Sequence, residues 1–288
     1  MNKINQLITI SNNLNEAVIN RYKKYFRFNN TNYWKEYYLP KIKDNDISRE
    51  RLYSQIIKKN CGINAKVADI GSGYGFLARE MVNQELDVTC VDLFEEMLVE
   101  AKKRLQDKKA DFVKADILDL PFKENSLDCI VLESLIEHFP LQEVQEDILP
   151  YLHKFIRHNG FLFIHVPIKS FHSVVARWIR KFYLNDLPRW AIDDDGDVTH
   201  KMWLNYKSYI KLIEKHGFSI VNYDFRMTRS NARPKLLFNF MKEIQKKLSD
   251  SDEELCRSIE EESTIIKIKK MIKSHFGLTS YLLFKRIK

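Results

Sequence analysis

The stretch VADIGSGYGFLAREM, Val67 to Met81, constrains the fold more than any other part of the chain. A short apolar segment with one acid in it runs into three glycines at alternate positions, and helical spacing begins directly after them. Gly71, Gly73 and Gly75 let the backbone turn sharply and approach a ligand, while the first turn of the next helix offers N–H groups that have no partner inside the helix. A dinucleotide site uses the same device with the spacing G-x-G-x-x-G, and here Phe76 stands where the third glycine would be. Asp69, two residues before Gly71, brings a carboxylate toward the place of a pyrophosphate. That suits a cationic ligand carrying an amino group.

The rest of the centre alternates in the same way. KVADI leads into the glycine turn, LDVTCVD is a strand ending at Asp92, and EEMLVEAKKRLQDKK is an amphipathic helix with acids early and bases late, as the helix dipole prefers. ADFVKAD predicts a third strand ending at Asp116 and LDCIVLE a fourth ending near Glu133. LQEVQEDILPYLHKFIRH predicts a helix and GFLFIHV a fifth strand. Strands separated by helices form a parallel sheet covered on both faces, whose ligands sit at the carboxyl ends of the strands. Asp92, Asp116 and Glu133 all fall there.

Composition narrows the partners. The 288 residues, 44% hydrophobic and 30% charged, describe a globular chain that can bury one sizeable core plus an appendage, or two small domains. The net charge of +8 is unevenly spread: residues 1–60 and 226–288 each carry +7, and residues 61–225 carry −6. An acidic centre does not suit a polyanionic acceptor, so a nucleic-acid partner is not expected. The apolar run from Gly160 is far shorter than the roughly 20 residues of a membrane span, and the first residues lack a signal-peptide core. A cytoplasmic location is the expectation. Cys61, Cys90, Cys129 and Cys256 are widely spaced and read as buried thiols, not as disulfides or zinc ligands.

These segments together resemble the class I S-adenosylmethionine-dependent methyltransferases, in the broad group that includes ubiquinone-type and natural-product O- and N-methyltransferases. DIGSGYG resembles the family's D-x-G-x-G-x-G motif, and KADILDLPF and LDCIVLESLIEHF resemble its later signatures. DVTHKMWLNYKSYIKLIEKHGFSIV resembles its D-x-T-H segment, capping helix and sixth strand, and TSYLLFKRI a seventh strand. The resemblance implies an α/β, doubly wound, mostly parallel seven-stranded sheet of the Rossmann-like methyltransferase type. It implies S-adenosyl-L-methionine as cofactor and S-adenosyl-L-homocysteine as product. By the same resemblance Asp69, Gly71, Ser72, Gly73 and Gly75 surround the methionine part, and Asp92 holds the ribose hydroxyls with Leu93 beside the adenine. Asp116 and Ile117 meet the adenine edge, and Glu133 lies beside the cofactor.

The expected organisation is a helical lid over 1–60, a core over 61–225, a helical insertion over 226–275 and a final core strand over 276–288. Tyr33, Trp34, Tyr37 and Tyr38 in the lid are candidate substrate contacts, and the insertion is suited to homo-oligomer formation. His138, just past the fourth strand, is the candidate general base, with His200 as the second. Some relatives hold a metal through E-x-x-E-H, but here Ser134 stands three residues before Glu137, so no metal site is expected. The run Asp193 to Asp197 reads as a solvated turn. The favoured function is methyl transfer to oxygen or nitrogen of a small molecule, namely a specialised metabolite, a sugar or a peptide. A nucleic-acid or protein methyltransferase and a non-catalytic cofactor-binding assembly partner stay open beside it.

Overall fold

The computed structural model describes residues 9–10, 48–106, 108–169, 201–226 and 279–287. Among the described residues, eight strands form one sheet: β1 (Thr9–Ile10), β2 (Lys66–Ile70), β3 (Asp87–Asp92), β4 (Ala110–Lys114), β5 (Leu127–Glu133), β6 (Ile156–Pro167), β7 (Phe218–Arg226) and β8 (Thr279–Arg286). Their spatial order is β1-β4-β3-β2-β5-β6-β8-β7. β8 runs antiparallel between β6 and β7, and every other pairing is parallel. The expected seven-stranded, mostly parallel sheet is therefore present, and the two-residue β1 is an addition along the β4 edge. The chain leaves β2 toward β3 and β4, then returns to the other side of β2 with β5 and β6. That reversal opens a crevice at the carboxyl ends of the strands.

Alternation along the strands feeds two cores. Val67, Cys90, Val131, Phe163 and Leu283 pack under α1 (Ser48–Cys61), α2 (Phe76–Asn83) and α3 (Glu95–Leu105), burying Tyr53, Ile57, Leu77, Met81 and Leu98. Ala68, Ile70, Ile130, Leu132 and Ile164 face the opposite way, toward α4 (Leu149–Phe155) and α5 (Tyr206–Glu214). α1 lies within the stretch expected to be a lid, and its Tyr53 ring sits 5.0 Å from Phe163 and 5.6 Å from Tyr281. This part of the N-terminal region is built into the sheet's core. Cys61, Cys90 and Cys129 are free thiols, the last two buried, and burial pushes the thiols of Cys90 and Cys129 up.

One expected element divides differently. The helix over LQEVQEDILPYLHKFIRH is a short α-helical turn at Leu141–Glu143, a π-helical stretch at Val144–Ile148 and then α4, which ends at Phe155. Pro150 supplies the reason for the irregular middle, since its ring removes a helical N–H and crowds the carbonyl four residues back. Ile156 to His158, expected as the helix end, instead begin β6, where Ile156 pairs with Leu127.

Candidate functional site

β2 ends at Ile70, and the chain folds back onto β3 before entering α2. The amides of Gly71 and Ser72 both donate to the Val91 carbonyl, at 2.8 and 3.0 Å, and Gly75 N–H donates to the Ser72 carbonyl at 2.9 Å. Gly75 has φ +72° and packs against α3, where a Cβ would lie 2.9 Å from Ala101 Cβ. Gly73 has φ +52° and open space where a side chain would stand. One glycine permits packing and the other permits approach.

The Gly73 N–H donates to Asp92 Oδ2 at 2.9 Å, and Phe94 N–H donates to Asp92 Oδ1 at 2.9 Å. The acid that ends β3 thus ties the glycine turn to the start of α3. Each of its oxygens can accept a further hydrogen bond. Burial pushes the Asp92 pKa up to about 6, against the opposing effect of these backbone N–H groups. Asp116, just after β4, accepts from Leu118 N–H at 2.7 Å through Oδ1 and is 4% exposed.

Glu133 ends β5. Arg49 Nη2, from the first turn of α1, lies 2.7 Å from Glu133 Oε1 and 2.6 Å from Glu50 Oε1. Burial raises the Glu133 pKa, and the Arg49 charge opposes that rise. Ser134 follows with φ +53°, an uncommon conformation for a residue with a side chain. Its N–H donates to the His165 carbonyl at 2.9 Å, and its hydroxyl lies 3.2 Å from His165 Nδ1. Two bonds to one neighbouring strand residue hold this bend.

Around these groups lies a cavity of about 260 Å³. Of the expected residues, Gly71, Ser72, Gly73, Asp92, Leu93, Asp116, Ile117, Glu133 and His138 line it. Asp69 and Gly75 do not: Asp69 is buried on β2, its carboxyl pushed well up by burial and by the charges of Glu133 and Asp92. Tyr33, Trp34, Tyr37, Tyr38, His200 and the run Asp193 to Asp197 lie outside the described residues, as does most of the expected insertion. Among the described residues no three His, Cys, Asp or Glu side chains are grouped to hold a metal ion, and no helix is long and apolar enough to cross a membrane.

A protein-family profile described as a methyltransferase domain matches residues 68–164, from the middle of β2 to β6. This segment is a class I methyltransferase domain of the S-adenosylmethionine-dependent type. The chain is similar to a demethylmenaquinone methyltransferase of Chlamydia felis, 25% identical over 148 residues. That alignment takes in 50% of this chain and 62% of the relative, so the chain matches about three fifths of the relative's length. Among solved structures it is similar to magnesium protoporphyrin IX methyltransferase from Synechocystis PCC 6803, with a TM-score of 0.57 at 14% identity, covering 93% of this chain and 99% of the other. It is also similar to the 1,6-didemethyltoxoflavin-N1-methyltransferase of Burkholderia thailandensis, with a TM-score of 0.56 at 17% identity over 93% and 89% of the two chains. At these identities the structural likenesses establish the fold.

The charged cavity residues Arg49 and Glu50 were not foreseen, nor was the support that His165 gives Ser134. Arg49 and Glu50 stand in an amphipathic helix where adjacent charges read as solvated, and their partner Glu133 belongs to a distant strand. His165 sits in an apolar strand pattern and is 2% exposed. A buried histidine beside a non-glycine bend is visible only once β5 and β6 are paired.

Proposed function

We propose that the chain transfers a methyl group from S-adenosyl-L-methionine to an oxygen or nitrogen of a small molecule. The observation that carries this reading is the convergence of Asp92, Asp116 and Glu133, each at the carboxyl end of a parallel strand, on one cavity beside the glycine turn. Three acids so placed suit a nucleoside with a cationic tail: two hydroxyls on Asp92, the base edge beside Asp116 and Ile117, and the amino-acid end beside Glu133 and the turn. The three relatives are named for small-molecule acceptors, and the −6 balance of residues 61–225 disfavours a polyanionic one.

When bound beside the glycine turn, Asp92 and Glu133, S-adenosyl-L-methionine would supply an electrophilic sulfonium methyl for in-line transfer to the acceptor's lone pair, with the thioether as leaving group. The protein's part is to align the acceptor and exclude water. An acceptor hydroxyl also loses a proton, and His138 on the cavity wall is the residue assigned to take it. His138→Ala should then slow single-turnover transfer to a hydroxyl acceptor by about a hundredfold with cofactor affinity unchanged. A variant retaining the wild-type rate and pH profile removes His138 from the mechanism.

Calorimetric titration with S-adenosylhomocysteine tests the cofactor assignment. Asp92→Ala should weaken binding by roughly 10-fold or more, because charge-assisted bonds to two hydroxyls are lost. Wild-type binding should strengthen as pH rises through about 6, since only the ionised carboxylate accepts from both hydroxyls. Equal affinity in the variant, or no dependence around that pH, removes Asp92 from the ribose site.

A further inference from the structure

The cavity wall carries four carboxylates, from Glu50, Asp92, Asp116 and Glu133, and among the described residues Arg49 is its only arginine or lysine. Asp92 is anchored by the N–H groups of Gly73 in the glycine turn and of Phe94, and Asp116 by that of Leu118. Glu50 and Glu133 differ, because their charges are met by one guanidinium, whose Nη2 reaches both and whose Nε also donates to Glu50 Oε1 at 3.0 Å. Arg49 is also the more accessible partner, its side chain 32% exposed against 16% for Glu133 and 9% for Glu50. The second Glu50 oxygen, Oε2, is buried and accepts no hydrogen bond from any described residue. A buried carboxylate oxygen left without a donor is costly, and a donor brought by a ligand relieves that cost.

From these contacts we infer that the corner formed by Arg49, Glu50 and Glu133 is a receptor for the zwitterionic α-amino-acid end of the ligand, and that Arg49 changes partners when the ligand enters. The ligand's ammonium takes the place of the guanidinium between Glu50 and Glu133, supplying the donor that Glu50 Oε2 lacks. The released guanidinium then receives the ligand's carboxylate, a planar group that matches its fork of N–H donors. No net charge is buried in the exchange, since one cation replaces another between the two acids and the displaced cation meets an incoming anion. Arg49 thereby gives the two acids a counter-charge before the ligand enters without sealing the corner, and a nucleoside lacking the amino-acid end has nothing to offer it. This inference rests on the S-adenosylmethionine reading and adds to it which residues, including two on α1, recognise the tail.

The experiment compares S-adenosylhomocysteine, which has the amino-acid end, with 5′-methylthioadenosine, which lacks it, on the full chain. Wild type should bind the first more tightly. Arg49→Ala and Glu50→Gln should each weaken S-adenosylhomocysteine by roughly 10- to 100-fold while 5′-methylthioadenosine stays within about threefold. Arg49→Lys, which keeps the charge and loses the fork, should fall between wild type and Arg49→Ala. Equal proportional losses for both compounds would mark Arg49 as a mere support of α1 and overturn the inference. Unchanged S-adenosylhomocysteine affinity in Arg49→Ala overturns it too and leaves the cofactor reading standing. Failure of wild type to bind either compound overturns the cofactor reading itself, and the inference falls with it.

Discussion

The glycine turn and the exit of β5 border the same cavity but are held in opposite ways. At the turn, Gly71, Ser72, Gly73 and Gly75 find their hydrogen bonds in Val91, Asp92 and the turn itself, all within the β2–α2–β3 unit. At the β5 exit the partners come from far along the chain: Glu133 from Arg49 on α1, Ser134 from His165 on β6, and the Glu137 carbonyl from the Met202 N–H. A site with local partners forms with its own motif. One with distant partners exists only when the whole sheet is assembled, and it responds to changes made elsewhere.

Gly75→Val should break the first region most severely. It adds a branched side chain at φ +72°, with Ala101 Cβ 2.9 Å and Ala101 Cα 3.2 Å from the new Cβ. Backbone strain and overpacking together should cost about 3 kcal/mol or more, read as a lower midpoint in denaturant. A midpoint close to wild type would mean that α3 yields easily and the turn is not packed against it.

Glu137 sharpens the second region. Its side chain is 1% exposed, with Oε2 accepting from no described donor, and burial, reinforced by the charge of Glu133, pushes its pKa up to about 8. Tyr209 packs close by, its hydroxyl donating to the Met202 carbonyl, and burial and the Glu137 charge both raise its pKa. An acid whose pKa is raised on folding contributes stability that is full below its unfolded value and lost as pH rises through the folded one. Stability should therefore decline from about pH 4.5 to pH 8, and Glu137→Gln should flatten that decline. An unchanged slope in the variant would assign the decline to another group.

The smallest effect should come from Gly73→Ala. No atom lies within 4 Å of the added methyl, so only the left-handed conformation at φ +52° is penalised, at about 1 kcal/mol. A cost as large as that of Gly75→Val would show that the two glycines do the same job.

Much of the first region was legible in the chain alone. Period-two alternation and the three glycines placed β2, α2 and β3, and Asp92 stood where the strand pattern ended. Asp116 and Glu133 were equally readable as strand-end acids, and both line the cavity. Asp69, by contrast, looked the same in sequence as a cavity acid, yet it is buried within β2 and off the wall. A strand pattern says which residues share a face but not which of them reach the cavity wall.

The sequence by itself determined the order of strands and helices along the chain and the acids at the strand ends, because periodicity and backbone conformation act between near neighbours. Tertiary structure alone decided that Arg49 would serve Glu133, that His165 would hold Ser134, and that Pro150 would interrupt a helix read as continuous. The first two depend on strand register and on how α1 lies across the sheet, and such distances are set only when the core closes. The third depends on the balance between a lost helical bond and the packing of the flanking turns. Burial works the same way: it lifts Asp92 to about 6 and Glu137 to about 8, and no local pattern of residues encodes how much water the finished fold removes.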